Sequence, residues 1–346
     1  MRFVSPLLKS VVYPAMHHGG WLKRYAPREG CAVVNYHGVL PPDYYPRDPF
    51  LDGNLTSPQV FQRQLRFLKT NYHPIGPEDF RAWIEKGGTL PPRSVLVTCD
   101  DGLVNTLTDM LPILRNEGIT CLFFVTGASC CENPGMLWYE ELYQLLHSGL
   151  VRDTDVQLTA ETSEETRITG SLQSRWWETV LNASRLSAIS RADRIRALRD
   201  LGKAAESVFS ERRWRLLNVH ELRQLAQAGM TIGAHTMSHP VLSQCSEDEA
   251  RREIKESKAA IECVLEQPVW AFAYPFGNPS TMGEREVGLA REAGFECAFL
   301  NMGGGASERT QPFTLSRTHV NADMNMAEFE AHMTGFHVRL QNAVRG

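Results

Sequence analysis

The sequence predicts an α/β fold built on a mostly parallel sheet, open or closed into a barrel, and three observations carry that expectation. Short apolar runs alternate with amphipathic helical stretches along most of the 346-residue chain. The runs SVLVTC (94–99) and ITCLFFV (119–125) are apolar almost throughout, as strands covered on both faces must be. Finally, three of the runs end directly in turns rich in Asp, His, Pro or Gly, at the strand ends where parallel α/β folds bind their ligands.

The elements follow in order. CAVVNY (31–36) is the first strand. Ser57-Pro58 caps and opens a helix, with proline at its first position. A helix over 77–87 stops at Gly87-Gly88, and strand 94–99 follows. A helix over 104–117 ends at Gly118 and is kinked by Pro112. Strand 119–125 comes next, then helix 220–229 and strand 230–234. Ser246-x-x-Glu249 is a capping box opening helix 246–265. Strand 269–274, helix 284–294 and strand 295–300 continue the alternation. Strand 313–320 is the last, before a C-terminal helix from about Ala327. Residues 131–218 break the rhythm: they are rich in Arg, Glu, Ser and Trp, helical at 137–146, 176–181 and 192–208, and read as an insertion on a βα loop.

Composition excludes several classes. Apolar residues make up 42% of the chain, enough for a sizeable core, so intrinsic disorder is excluded. A net charge of −4 argues against nucleic acid as the main partner. No apolar stretch is long enough to span a membrane as a helix. The first 30 residues lack a secretory pattern, because Lys9 and Pro14 break the apolar run, and a cytoplasmic location is expected. Residues 1–30 form a helical segment that packs on the outside of the barrel or, with Arg2, Lys9, Lys23 and Arg24 among apolar residues, rests on a membrane surface. The eight cysteines have no zinc-type or disulfide spacing and read as plain thiols, with Cys99 and Cys121 in the core.

Chemistry concentrates at the three strand ends. His235 and His239 lie between Gly233-Ala234 and Pro240, which disfavours a helix and puts the pair on a strand-to-helix loop. Imidazole is the commonest ligand for borderline divalent metals. Adjacent Asp100 and Asp101 follow an apolar strand, where two unpaired carboxylates repel each other. A helix cap explains one of them, at about 1 kcal/mol. A metal explains both: one carboxylate joins the imidazoles, and the cation's charge keeps the other ionised as a base. Two imidazoles and a carboxylate leave an open position, the arrangement of metal hydrolases.

These motifs together resemble the polysaccharide deacetylase family, the NodB-homology domain of carbohydrate esterase family 4. The family's T-F-D-D-G stands here as Thr98-Cys99-Asp100-Asp101-Gly102, its H-S/T-x-x-H as His235-Thr236-Met237-Ser238-His239, and its aromatic-Pro-Y/F-Gly turn as Tyr274-Pro275-Phe276-Gly277. Asn35-Tyr36-His37-Gly38-Val39 is similar to the opening motif of many bacterial members. The resemblance covers residues 31–125 and 219–320. It implies a distorted (β/α)-barrel of about seven parallel strands, spanning 31–346 with the helical insertion. It also implies metal-dependent hydrolytic deacetylation of an N-acetylated sugar, in a cell-envelope glycan, exopolysaccharide or lipid-linked saccharide precursor.

Carried over, the resemblance makes Asp101, His235 and His239 the metal ligands and Asp100 the general base for the attacking water. The Phe276 N–H helps hold the oxyanion, and His37 and Tyr274 line the substrate pocket. Zinc is the expected ion, with nickel, cobalt and iron as alternatives. Two positions depart from the family. Its frequent arginine in the third motif is Ala273 here, and its late Leu-x-His reads Leu315-Ser316-Arg317, with His319 two residues on. Residues two apart on a strand share a face. Arg317 and His319 can therefore both point into the pocket, and the resemblance then suggests that Arg317 replaces the missing arginine beside Asp100 and that His319 protonates the leaving amine. Trp138, Tyr139, Trp176 and Trp177 are candidates for a sugar-stacking platform or for the insertion's own small core. The rival readings are hydrolysis of a formamido or O-acetyl sugar at the same site, and a catalytically weak sugar-binding module.

Overall fold

The computed structural model describes residues 6–26, 29–40, 48, 52–147, 172–201, 211–303, 306–307 and 311–345. Seven parallel strands close into a barrel: β1 (Cys31–Tyr36), β2 (Ser94–Cys99), β3 (Cys121–Val125), β4 (Thr231–Ala234), β5 (Ala271–Ala273), β6 (Cys297–Gly303) and β7 (Leu315–His319). Closure comes from β1, which pairs with β2 along its whole length and with β7 at Val34↔Thr318 and Asn35↔His319. Two further pairs of residues lie outside the ring. His73–Pro74 runs parallel beside β2, and Ala306–Ser307 antiparallel beside β1. Both are too short to leave an alternating pattern in the sequence. The α/β barrel expected from the sequence is the architecture observed.

Strand alternation divides the core into two shells. Val33, Leu96, Leu122, Phe124, Ala271, Ala273, Cys297, Phe299 and Leu315 form the inner one, with Phe80 of helix Pro77–Lys86 packed into it. Their neighbours Val34, Val97, Phe123, Ile232, Phe272 and Ala298 face outward against Phe61, Leu65, Ile254 and Ile261 of the surrounding helices. Cys99 and Cys121 belong to this outer shell, and no cysteine is in a disulfide.

Both serine caps form, but the reciprocal half of the expected Ser246–Glu249 capping box does not, because the Glu249 carboxylate accepts the Ala188 N–H instead. Ser57 accepts the Val60 N–H, and Ser246 accepts the Glu249 N–H. The stretch after β2 is more irregular than a kinked helix. It opens as a π-turn, Thr106–Met110, and becomes α-helical only over Leu111–Glu117. Pro112 has no N–H to donate, so the ladder changes register just before it.

Between β3 and β4 the chain carries the helices Trp138–His147, Leu172–Ala183, Ala188–Leu201 and Glu211–Trp214. The final part of the helix expected over 192–208 lies outside the described residues. These helices share a small core of Trp138, Leu142, Val180, Ala183, Ile195 and Leu198, completed by Val241 from beyond β4. At the end of the segment the Val104 N–H donates to the Arg215 carbonyl (2.7 Å), and the Leu217 N–H to the Gly102 carbonyl (2.8 Å). The N-terminal helix Tyr13–His18 packs through Tyr13, with Leu22 beyond it, on Ala327 and Ala331 of helix Met326–Met333. Leu7 and Val11 before this helix and Trp21 after it are exposed. No helix among the described residues is long and apolar enough to cross a membrane.

The inner shell gives a direct test of the alternation. Gly233 takes an inward position on β4, where an added Cβ would lie 2.6 Å from the Phe124 ring and 3.0 Å from the Ala271 carbonyl oxygen. Gly233→Val should lower stability by about 1–3 kcal/mol, the range for overpacking a filled core. Urea denaturation measures it, and an unchanged midpoint would contradict the two-shell assignment.

Candidate active site

The inward parity of each strand continues at the carboxyl ends, but the residues become polar. Asn35, Thr98, Asp100, His235 and Arg317 are all almost fully buried there. Arg317, at 0% exposure, grips Asp100, at 1%. Its Nη1 and Nη2 donate to the two carboxylate oxygens at 2.7 Å each. Its Nε donates to the Leu300 carbonyl at 2.7 Å, and its planar face lies over the Phe124 and Phe299 rings. The expected Arg317–Asp100 pair is therefore present, in the two-pronged form that a guanidinium makes best. Burial alone would raise the Asp100 pKa. The Arg317 charge, with His235 nearby, outweighs burial and holds it below the usual carboxylate value.

Asn35 completes this cluster and was given no role from the sequence. Its amide nitrogen donates to Asp100 Oδ2 (2.8 Å) and to Asn301 Oδ1 (3.0 Å). Its oxygen accepts from Thr98 Oγ1 and Arg317 Nη1, both at 2.9 Å. A signal was available, because a lone Asn inside the apolar run CAVVNY is a buried polar group that needs partners.

Strand alternation alone would turn Asp101 away from Asp100. It does not, because Asp101 has φ +74°, and the Gly102 N–H donates back across it to the Asp100 carbonyl at 3.0 Å. This tight i→i+2 turn presents both carboxylates to the pocket. The same device recurs at Phe276, with φ +60° and the Gly277 N–H on the Pro275 carbonyl at 2.7 Å. Gly277 is itself at φ +47°, and a Cβ there would lie 2.3 Å from the Asn301 nitrogen. Thr236 (φ +64°) and His239 (φ +59°) are left-handed too. Non-glycine residues in this region each cost roughly 1–3 kcal/mol and cluster where a site over-determines them.

Asp101, His235 and His239 converge, with one ligand atom from each lying within 4.8 Å of the others. Asp101 Oδ1 is 3.5 Å from His235 Nε2 and 3.3 Å from His239 Nε2. His235 Nδ1 lies 2.7 Å from the Ala273 carbonyl, which can only accept, so Nδ1 carries the proton. In the neutral ring, Nε2 then turns a lone pair toward Asp101. Two imidazole lone pairs and a carboxylate oxygen aimed at one point repel unless positive charge sits among them. The donor set therefore fits a divalent cation, with the ring orientation set by a backbone carbonyl as at many metal centres. Without a cation, a ring in its imidazolium form donates from Nε2 to Asp101 instead, and these hydrogen bonds from His235 and His239 outweigh burial and hold the Asp101 pKa well below the ordinary value.

The remaining expected residues divide. Phe276 reaches the site, its ring 4.9 Å from that of His239. His37 is buried beside His319, with ring centroids 5.0 Å apart, outside the three-residue group. His319 points inward as expected. Burial and the neighbouring His37 push its pKa down to about 3. Tyr274 does not reach the pocket. It alternates with inward Ala273, packs in the outer shell beside Phe272, and donates its hydroxyl to the Phe313 carbonyl at 3.1 Å. From the insertion, Trp138 is largely core, while Tyr139 lies 5.3 Å from the His239 ring and 5.8 Å from Phe276. Trp177 lies 5.2 Å from Phe276 and is 41% exposed. The Trp176 side chain lies outside the described residues.

Comparison with known proteins agrees with the motif resemblance. The sequence model of the family described as Polysaccharide deacetylase matches residues 198–298, a stretch that holds His235, His239 and the Tyr274–Gly277 turn. "Putative polysaccharide deacetylase YxkH" of Bacillus subtilis (strain 168) is 24% identical over 117 residues, 34% of this chain. The chain spans 41% of that relative's length. Among solved structures, the Streptococcus pyogenes deacetylase PplD in complex with acetate superposes with a TM-score of 0.55 at 16% identity, covering 88% of this chain and 99% of that one. IcaB from Ammonifex degensii gives a TM-score of 0.55 at 17% identity, covering 88% and 97%. At these identities the structural likeness is one of fold.

The Arg317–Asp100 pair carries a testable energetic consequence. Arg317→Met strands a buried carboxylate and should cost about 3–5 kcal/mol at neutral pH. Asp100 has a depressed folded pKa, so its stabilising effect is present above the ordinary carboxylate value and lost as pH falls through the lowered one. The penalty of Arg317→Met should therefore shrink on acidification, and Arg317→Met/Asp100→Asn should recover most of it at pH 7. Equal losses in the single and double variants, by urea denaturation, would show that the pair is not its source.

Proposed function

We propose that the chain is a metal-dependent deacetylase that hydrolyses the N-acetyl group of a sugar in a cell-envelope glycan, exopolysaccharide or lipid-linked saccharide precursor. The observation that carries this reading is the separation of the two adjacent carboxylates. Asp100 is paired with Arg317, while Asp101 among the described residues is paired with His235 and His239. One is thereby kept ionised as a base and the other is left as a ligand, the division of labour that hydrolysis of an amide requires.

Asp101, His235 and His239 would hold the cation, with zinc favoured by the donor set and nickel, cobalt and iron as alternatives. Its charge would polarise the amide carbonyl and make water more acidic. Asp100 removes the proton from the attacking water, with Asn35 and Arg317 fixing the direction of its oxygens. The Phe276 N–H donates to the oxyanion that forms at the carbonyl. His319, neutral at rest, is assigned the transfer of that proton to the leaving nitrogen rather than storage of one of its own. Phe276, Tyr139 and exposed Trp177 offer aromatic faces for a sugar ring beside these groups. Hydrolysis of a formamido or O-acetyl sugar uses the same residues and differs in the acid released.

Acetate and formate release from a panel of N-acetylated, N-formylated and O-acetylated saccharides, with metal-stripped and metal-restored protein, tests the reading. His235→Ala and His239→Ala should lose both bound metal and activity. Asp100→Asn should keep the metal and lose at least about 10²-fold in rate, the scale of general-base catalysis. Stoichiometric metal in either histidine variant, or no acid released from any of the panel, would overturn it.

The N-terminal segment supports a peripheral membrane contact as a further part of this proposal. Leu7 and Val11 are one helical turn apart, and both they and Trp21 are exposed beside exposed Lys23 and Arg24. That combination suits the surface of an anionic bilayer, where a lipid-linked saccharide would be met. Full-length protein should co-sediment with vesicles containing anionic lipid, and Leu7→Glu/Val11→Glu should abolish this while activity on a short water-soluble saccharide is retained. Sedimentation unchanged by the double variant would exclude the contact.

A further inference from the structure

The insertion between β3 and β4 meets the site at the loop that carries both histidines. Arg191, on helix Ala188–Leu201, is 2% exposed. Its Nη2 donates to Ser238 Oγ at 2.5 Å, and its guanidinium lies over the Trp138 ring, 4.9 Å from the centroid. The Ser238 hydroxyl donates in turn to Glu253 of helix Glu247–Leu265, and the Ser238 N–H donates to the second oxygen of the same carboxylate at 2.8 Å. Arg191 Nη2 lies 3.7 Å from Glu253 Oε1, so the buried charges face each other across the hydroxyl. Glu253 also accepts the Met237 N–H on its backbone carbonyl at 3.0 Å. On the far side, Trp138 Nε1 donates to the His239 carbonyl at 3.0 Å. The hydrogen bonds among these contacts fall on residues 237–239, in the span that joins one histidine to the other.

That loop needs such support. Thr236 and His239 both sit in the left-handed region, at φ +64° and +59°, and neither is glycine. Within the loop, one hydrogen bond spans them, from the His239 N–H to Thr236 Oγ1 at 3.0 Å. A strained five-residue loop relaxes unless its surroundings fix it, and a shift of either imidazole would part the two Nε2 atoms from Asp101.

We propose that Arg191, acting through Ser238 and Glu253, is a positioning residue for the metal centre, so that the insertion is a working part of the site. This rests on the reading that Asp101, His235 and His239 hold a metal. The test is zinc affinity, measured on the full chain by competition with a chromophoric chelator, together with the Tm of the metal-free protein. Arg191→Met alone would strand the Glu253 charge and lower stability for that reason. Arg191→Met/Glu253→Gln removes both charges at similar volume, and Ser238→Ala cuts the link at the hydroxyl. Both variants should bind zinc about 10–100-fold more weakly, the scale for loss of a group that orients a ligand, while their metal-free Tm stays within a few degrees of the parent. Parental zinc affinity in the paired variant overturns the inference, and so does a loss of affinity matched by a collapse of the metal-free Tm in both variants. A parent chain that binds no zinc, nickel, cobalt or iron overturns the metal reading itself, and is distinguished by being seen before any variant is made.

Discussion

A guanidinium that is fully buried cannot shed its charge and cannot be left without partners, and Arg317 is such a group. Its donors reach Leu300 on β6, Asn35 on β1, Thr98 on β2 and Asp100 just beyond β2. One side chain thus ties four strand ends around the barrel mouth. The demand runs backward into the sequence. It explains why the apolar strand 31–36 contains an asparagine, and why Thr98 follows the apolar Val95-Leu96-Val97 at an inward position.

Because Arg317 neutralises Asp100, the other carboxylate is free for a different task. Among the described residues Asp101 has no arginine or lysine against it, only two imidazoles. The backbone is what separates the two. A strand would send successive side chains to opposite faces, and the left-handed turn at Asp101 cancels that for one residue. The turn is feasible because Gly102, itself at φ +75°, follows it, where an added Cβ would lie 3.0 Å from Val125. Local strain and charge separation are therefore two aspects of one arrangement.

Most of the barrel is legible in the sequence, because buried parallel strands and capped helices leave strong local patterns. Ser57, Ser246 and the apolar runs at 94–99 and 119–125 are of this kind. The Arg317–Asp100 pair is legible too, from the family's missing arginine taken together with the rule that residues two apart share a face. The same rule explains why Tyr274 is not a pocket residue. A motif names neighbours together, but Ala273 and Tyr274 face opposite shells, and only the left-handed break at Phe276 turns the chain back to the site. The protonation state of His319 is not legible at all, since it depends on burial and on His37, which lies on another strand end.

The insertion shows a subtler limit. Helix Ala188–Leu201 carries Arg191, Arg194, Arg196 and Arg199, and by composition all four read as a solvated face. The buried positions are Arg191, Ile195 and Leu198, spaced i, i+4 and i+7. Arg191 thus occupies a place in the apolar stripe. An arginine there implies that the opposing surface supplies an acid, since an unpaired charge would not be buried. That acid is Glu253, on a helix that belongs to the barrel. The hydroxyl between them is Ser238, inside the histidine motif. The insertion and the barrel are consequently joined through the loop that carries both histidines, and a change that loosened their packing would be felt first at the imidazoles.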